Sequence, residues 1–396
     1  MDEVRNPFVP GAGTPPAKLA GRDALLEKAR ITLERVKQGR SAKSFIVVGL
    51  RGVGKTVLLS QIYECAAELG FEAIQIEAHE NKSLPALLVP KLRQILLRLD
   101  TSEHAKELVK RGLRGLVSFA KAVKVSYQDV ELSLSLDGEP GLADSGDLEI
   151  DLADLLEVIG QCARQKGSAV ALIVDELQYL SEEEMSALIM ALHRVAQRGL
   201  PLVLIGGGLP QLVGLAGKSK SYAERLFDYP QVGALDAGNA ADAIMAPIVE
   251  EGEEISPEAT AAIYEQTSGY PYFLQTWGHY AWNVAEASPI TTKHVDDAAK
   301  LAIENLDESF FRVRFDRLTP SEKTYLFAMA ELGPGPHRSG DIAVKLGKKV
   351  ESVAPVRSSL IKKGMVFSPS HGDTAFTVPM FDAYLTRIYK GEAQLG

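Results

Sequence analysis

Residues Gly49-Leu50-Arg51-Gly52-Val53-Gly54-Lys55-Thr56 place glycines, a lysine and a hydroxyl at a spacing that can hold an anion. The run fits G-x-x-x-x-G-K-[ST], in which glycines let successive backbone N–H groups curl around phosphate oxygens at a helix N-terminus. Lys55 then has the reach for β- and γ-phosphates, and Thr56 offers its hydroxyl to Mg²⁺. Gly49, Gly52, Val53, Gly54, Lys55, Thr56 and Val57 are therefore the candidate nucleotide contacts, with ATP or ADP as the expected ligand. A second constellation is Ala171-Leu172-Ile173-Val174-Asp175-Glu176, where acids directly follow an apolar run. Alone, such a pair reads as surface acids at a strand end. Beside a phosphate loop, Asp175 reads as the magnesium carboxylate, acting through water, and Glu176 as the base that polarises the attacking water.

These groups need elements to hold them. An apolar run at 44–48 precedes the glycines and a helical period follows at 57–69, the strand, loop and helix context that the motif requires. Further strand-like runs lie at 72–77, 170–174 and 202–205, with helical patterns at 84–99, 153–164 and 182–197. Strands alternating with helices imply α/β architecture around a parallel sheet. An arm over 1–20 precedes a core expected over 21–235, and residues 100–150 interrupt it as an insertion. There, apolar residues at every second position from Val123 to Leu136 predict a β-hairpin. Between Val125 and Ala163 stand ten Asp or Glu and no Lys or Arg, so the insert is either a solvated extension or a docking element for a protein partner.

Past Asp236 the strands stop. Helical patterns at 240–249, 257–266, 271–287 and 291–305 form a helical lid expected over 236–317, joined through a basic stretch, 312–318, to a tail. In the tail, helical patterns at 321–332, 339–345 and 350–363, then strand patterns near 365–368 and 375–378, describe a winged helix-turn-helix over 318–396. This tail carries ten Lys or Arg against seven Asp or Glu, while the whole chain has a net charge of -9. Its recognition helix would present Arg357, Lys362 and Lys363, with Lys345, Lys348 and Lys349 just before, so DNA is a candidate partner. Across all 396 residues, 46% are hydrophobic and 24% charged, an ordinary globular composition. Cys65 and Cys162 lie in apolar helical patterns without metal or redox spacing, and no segment is long and apolar enough for a membrane, so a cytoplasmic location is expected.

Together, both nucleotide motifs, the Leu19-Ala20-Gly21-Arg22-Asp23 turn before a helix, the helical lid and the winged tail resemble a P-loop ATPase of the AAA+ and STAND group, in particular the origin-recognition-like ATPases. The resemblance implies that Arg22 flanks the adenine and that Pro271, in Gly269-Tyr270-Pro271, packs against the base, although Pro271 equally suits a helix start. It implies an arginine finger at Arg225, from its own chain or a neighbour's in a homo-oligomer; a salt bridge to Glu224 or Asp228 is the plain alternative. Two departures count against fast hydrolysis. Gly206-Gly207-Gly208 stands where relatives place a polar γ-phosphate sensor, and residues 236–311 hold no arginine for a second sensor, only Lys293, Lys300, His279 or His294. The expectation is an ATPase with slow or gated turnover, or else a nucleotide-locked switch that recruits a protein.

Overall fold

Apolar runs flanked by helical periods do build a parallel sheet in the computed structural model, which describes the chain except residues 12, 100–102, 125–137, 221–222, 371 and 394–396. The chain divides into two compact units, one of residues 22–49 and 55–232, the other of 1–21, 50–54 and 233–396. The first holds α1 (Asp23–Lys37), β1 (Ser44–Val48), α2 (Lys55–Glu68), β2 (Glu72–Glu77), α3 (Leu84–Leu99), α4 (Glu103–Ala122), α5 (Leu148–Lys166), β3 (Val170–Asp175), α6 (Glu182–Gln197), β4 (Leu202–Gly208), α7 (Gln211–Ser219), α8 (Ala223–Leu226) and β5 (Phe227–Asp228). The sheet runs β2-β3-β4-β1-β5, and every pairing in it is parallel. β1, β3 and β4 are buried at every residue, as strands covered on both faces must be. Leu96, Leu155, Leu156, Ile159, Leu188 and Leu192 pack with Ile74, Leu172 and Leu204 to form its core. β5 was not expected: two residues give no periodicity, and the strand exists because Ser44 and Phe45 of β1 offer it an edge.

The expected hairpin lies, from Val125 on, outside the described residues. Several of the acids that follow it are paired within the fold, while Asp144 and Asp147 are exposed. Glu139 pairs with Arg114 at 2.5 Å, Glu149 with Lys220 at 2.9 Å, Asp154 with Arg194 and Glu157 with Arg198. Asp147 caps α5 by accepting from the Glu149 and Ile150 N–H groups, which starts that helix several residues before its apolar period becomes visible. Asp151, fully buried, accepts from Ser145 and the Gly146 N–H.

The second unit contains α9 (Ala237–Glu250), α10 (Pro257–Thr267), α11 (Pro271–Val284), α12 (Thr292–Asn305) and, after a π-helical turn at Leu306–Phe311, α13 (Arg312–Phe315). The basic joint expected at 312–318 is thus helical for its first part. Then come α14 (Pro320–Glu331), β6 (His337–Arg338), α15 (Ser339–Lys345), α16 (Val350–Lys362), β7 (Val366–Phe367), β8 (Asp373–Phe376) and α17 (Phe381–Ala393). β6, β8 and β7 form a small antiparallel sheet beside α14 to α16, the elements of a winged helix. α17 was not anticipated, although Phe381, Tyr384 and Leu385 recur at helical spacing and are buried. No helix among the described residues is long and apolar enough to cross a membrane.

Glu322 pins this tail together. It is 3% exposed and accepts from the Thr319 N–H at 2.7 Å, Ser359 at 2.7 Å and Lys363 at 2.8 Å. Burial alone would raise its carboxyl, but the hydrogen bonds from Lys363, Thr319 and Ser359 prevail and hold it at about 2. A folded value below the unfolded one of about 4.3 stabilises the protein at neutral pH and is lost as pH falls through that window. Glu322→Ala should destabilise the tail by about 1–3 kcal/mol at pH 7. Hydrogen exchange in α14 and α16 should show this difference shrinking as the pH is lowered below about 4.

Candidate functional site

Within the first unit the sheet brings together Lys55, Thr56 and Asp175, which the sequence separates by more than a hundred positions. β1 ends at Val48 and α2 begins at Lys55, so Lys55 and Thr56 sit in the first turn of a helix whose unpaired N–H groups favour an anion. Lys55 is 5% exposed and donates to the Gly49 carbonyl at 3.0 Å. The Thr56 hydroxyl donates to Asp175 Oδ2 at 2.6 Å. Burial pushes the Asp175 carboxyl up, opposed by the Thr56 hydrogen bond and reinforced by the charge of Glu176. A buried carboxylate joined to a hydroxyl is a hard-oxygen donor set that suits Mg²⁺. Among the described residues no three His, Cys, Asp or Glu cluster as a metal site, so a cation here would draw its remaining ligands from phosphate and water.

β4 lies between β1 and β3, and Asp175 must reach past it. The glycines at its end make the room. A Cβ on Gly207 would stand 2.8 Å from Asp175 Oδ1 and 2.8 Å from Leu59 Cδ1; one on Gly206 would strike Leu177; one on Gly208 would stand 2.8 Å from Leu212 and 3.0 Å from Gln178 Oε1. Glu176 adopts left-handed backbone, φ 53° and ψ 36°, which is uncommon outside glycine and recurs at functional sites. Its carboxylate accepts from Gln178 Nε2, while Gln178 Oε1 accepts from the Leu209 N–H at 3.0 Å.

The apex of the loop, 50–54, belongs to the second unit. Gly52 and Gly54 have φ of 79° and 89°, a region that side chains rarely adopt. The Gly52 carbonyl accepts from the Tyr272 N–H at 3.2 Å, and a Cβ on Gly52 would lie 3.1 Å from the Tyr270 ring. The Tyr270 hydroxyl is buried without a hydrogen-bond partner among the described residues. Arg314 lies over the Phe310 ring at 3.8 Å. Burial, then the charge of Arg51, lowers the Arg314 guanidinium to about 10.

The remaining residues fall as follows. Val53 and Val57 are buried, as is Arg22, which precedes α1 and whose guanidinium is lowered by burial. Pro271 occupies the first turn of α11, the plain helix-start position. Arg225 is exposed on α8 and forms no ion pair among the described residues; Asp228 pairs instead with Lys28 at 2.7 Å and Lys43 at 3.6 Å. Of the second-sensor substitutes, His279 holds the Phe8 carbonyl and Asn6, His294 accepts from the Thr291 N–H, and Lys300 pairs with Asp297. In the tail, Lys363 and Lys345 pair with Glu322 and Glu331, and Arg357 donates to Thr374, Ser368 and the Asp373 carbonyl. Arg357 and Lys363 are therefore occupied within the tail, and Lys345, which precedes the recognition helix, is exposed in a surface ion pair. Lys348, Lys349 and Lys362 are exposed. Sequence reasoning missed Gln178 and Arg314. The first leaves no signal in the sequence, whereas the second lies in the basic stretch at 312–318, just past residues 236–311.

Comparison with known proteins agrees with this geometry. Residues 18–205 match the family described as AAA ATPase domain, and residues 308–385 match a domain of unknown function, DUF8462. The Walker-type ATPase paby2304 of Pyrococcus abyssi has the same fold, with TM-score 0.58 and 17% identity over 94% of this chain and 97% of that one. An uncharacterized HTH-type transcriptional regulator of Methanocaldococcus jannaschii, MJ0774, is 21% identical over 85% of this chain and 80% of its own length. The Aeropyrum pernix ORC1 protein, solved in complex with DNA, aligns over 94% of each chain at TM-score 0.47 and 16% identity.

Asp175→Ala removes the acceptor of the Thr56 hydroxyl. Titration with a fluorescent ATP analogue should show affinity in Mg²⁺ falling by about 10–100-fold. With chelator present, the same substitution should change affinity little.

Proposed function

We propose, from the premise that residues 18–205 form an AAA-type ATPase domain, that this chain hydrolyses ATP slowly and uses its nucleotide state to control its conformation and its engagement of a partner. The observation that carries this reading is the Thr56 to Asp175 hydrogen bond of 2.6 Å, set beside a buried Lys55 and the left-handed Glu176. By the motif, Gly49, Gly52, Val53, Gly54 and Val57 are the phosphate-loop contacts and Lys55 is the group for the β- and γ-oxygens. Thr56 directly, and Asp175 through water, would hold Mg²⁺, which would supply neutralisation of charge on those oxygens. Glu176 takes the proton of the attacking water as its oxygen bonds to the γ-phosphorus and the β–γ bridge breaks toward ADP. Arg51 and Arg314 add positive potential at the loop apex. Arg22 and Pro271 as base contacts, and Arg225 as a finger acting in trans, rest on the resemblance alone.

DNA is the partner for which a specific observation exists: the relative MJ0774 is described as an HTH-type regulator. Exposed Lys348, Lys349 and Lys362 around α16 are the contacts that would serve it. The other reading, a switch locked on ADP that recruits a protein through 123–136, predicts a purified chain that retains ADP and never turns over.

Turnover with and without DNA at two salt concentrations separates these readings. Lys55→Ala should lose nucleotide binding, and Glu176→Gln should keep ATP bound and uncleaved. Unchanged turnover in Glu176→Gln would refute the assigned base. A finger in trans predicts a rate per chain that rises with protein concentration and is flat in Arg225→Ala.

A further inference from the structure

We infer that Gln178 is a positioning residue for the hydrolytic step: its amide ties the Glu176 carboxylate to the backbone at the end of β4, supplying from the loop after β3 the polar group that Gly206-Gly207-Gly208 cannot. The inference rests on the reading of Glu176 as the base. Its geometry is two-ended. Gln178 Nε2 donates to Glu176 Oε2, and Gln178 Oε1 accepts from the Leu209 N–H at 3.0 Å. A side-chain amide offers a donor and an acceptor on one planar group, whereas glutamate here would set oxygen against oxygen and alanine would supply neither contact.

The surroundings are shaped to this contact. A Cβ on Gly208 would stand 3.0 Å from Gln178 Oε1, so the last glycine of the run keeps the amide seated. The Glu176 backbone is held from its other sides, its N–H donating to Asp175 Oδ1 at 2.8 Å and its carbonyl accepting from the Tyr179 N–H at 3.0 Å. Those bonds fix the main chain and leave the carboxylate free to rotate. The Gln178 amide, anchored at Leu209, is what removes that freedom. A base held in one orientation matters because displacement of a reacting group by about 1 Å can cost on the order of 100-fold in rate.

The test is steady-state ATP hydrolysis by the full chain, with ATP affinity and thermal midpoint measured in parallel. Gln178→Ala and Gln178→Glu should each lower kcat by about 10–100-fold with KM, ATP affinity and midpoint close to wild type. Gly208→Ala, which crowds an intact Gln178, should lower kcat in the same way. In a Glu176→Gln background, Gln178→Ala should cost nothing further, since it acts through the missing carboxylate. Wild-type kcat in Gln178→Ala while Glu176→Gln is inactive overturns this proposal alone, as does a loss carried by KM or by the thermal midpoint. A wild-type chain that binds ATP without cleaving it, or an active Glu176→Gln, overturns the reading of Glu176 and this proposal with it.

Discussion

Thr56 and Asp175 are hydrogen-bonded at 2.6 Å although the strands that position them, β1 and β3, are not neighbours. β4 runs between them, so the bond must pass the end of a strand whose side chains would otherwise fill that space. Gly207 is the point of passage, and any Cβ there would press on both the Asp175 carboxylate and Leu59 of α2. Most of what is unusual at this edge of the sheet follows from that crossing. Gly206 admits Leu177, which is fully buried, and Gly208 admits the Gln178 amide and Leu212. The glycines that suggest a missing sensor are the space that the segment after β3 occupies.

That segment is costly in isolation. A buried carboxylate must be paired or hydrogen-bonded, and a non-glycine residue in left-handed backbone costs on the order of 1–3 kcal/mol. Asp175 answers both demands at once: Oδ2 accepts from Thr56 and Oδ1 from the Glu176 N–H. The carboxylate that would face the metal therefore also stabilises the strained residue that would face the water. Burial still raises its pKa, since taking the carboxylate out of water disfavours its charged form.

Much of this was legible because buried parallel strands are continuous apolar runs, and 44–48, 170–174 and 202–205 stand out without any alignment. The glycines of 49–54 and the Asp175-Glu176 pair were legible for a related reason, since their chemistry is local in sequence. Gln178 was not, because its role arises only where the loop after β3 meets the end of β4. The partners of several acids from Glu139 to Glu157 were hidden for the same reason. Their cations, Arg114, Arg194, Arg198 and Lys220, are distant in sequence, and a count of like charges cannot see partners on neighbouring helices.

The tail poses the same problem with opposite sign. Its cations outnumber its acids by three, ten against seven, yet Arg357 and Lys363 are engaged inside the fold and Lys345 in a surface pair with Glu331. Around α16 that leaves Lys348, Lys349 and Lys362 exposed. Each phosphate neutralised changes the logarithmic salt dependence of binding by about 0.9. Three lysines thus support a slope near 3, well below the value of about 10 for a strong duplex binder. Glu351 is exposed on the same helix and opposes even that. DNA held by this surface alone would be held weakly at physiological salt, so tight engagement would require several copies acting together.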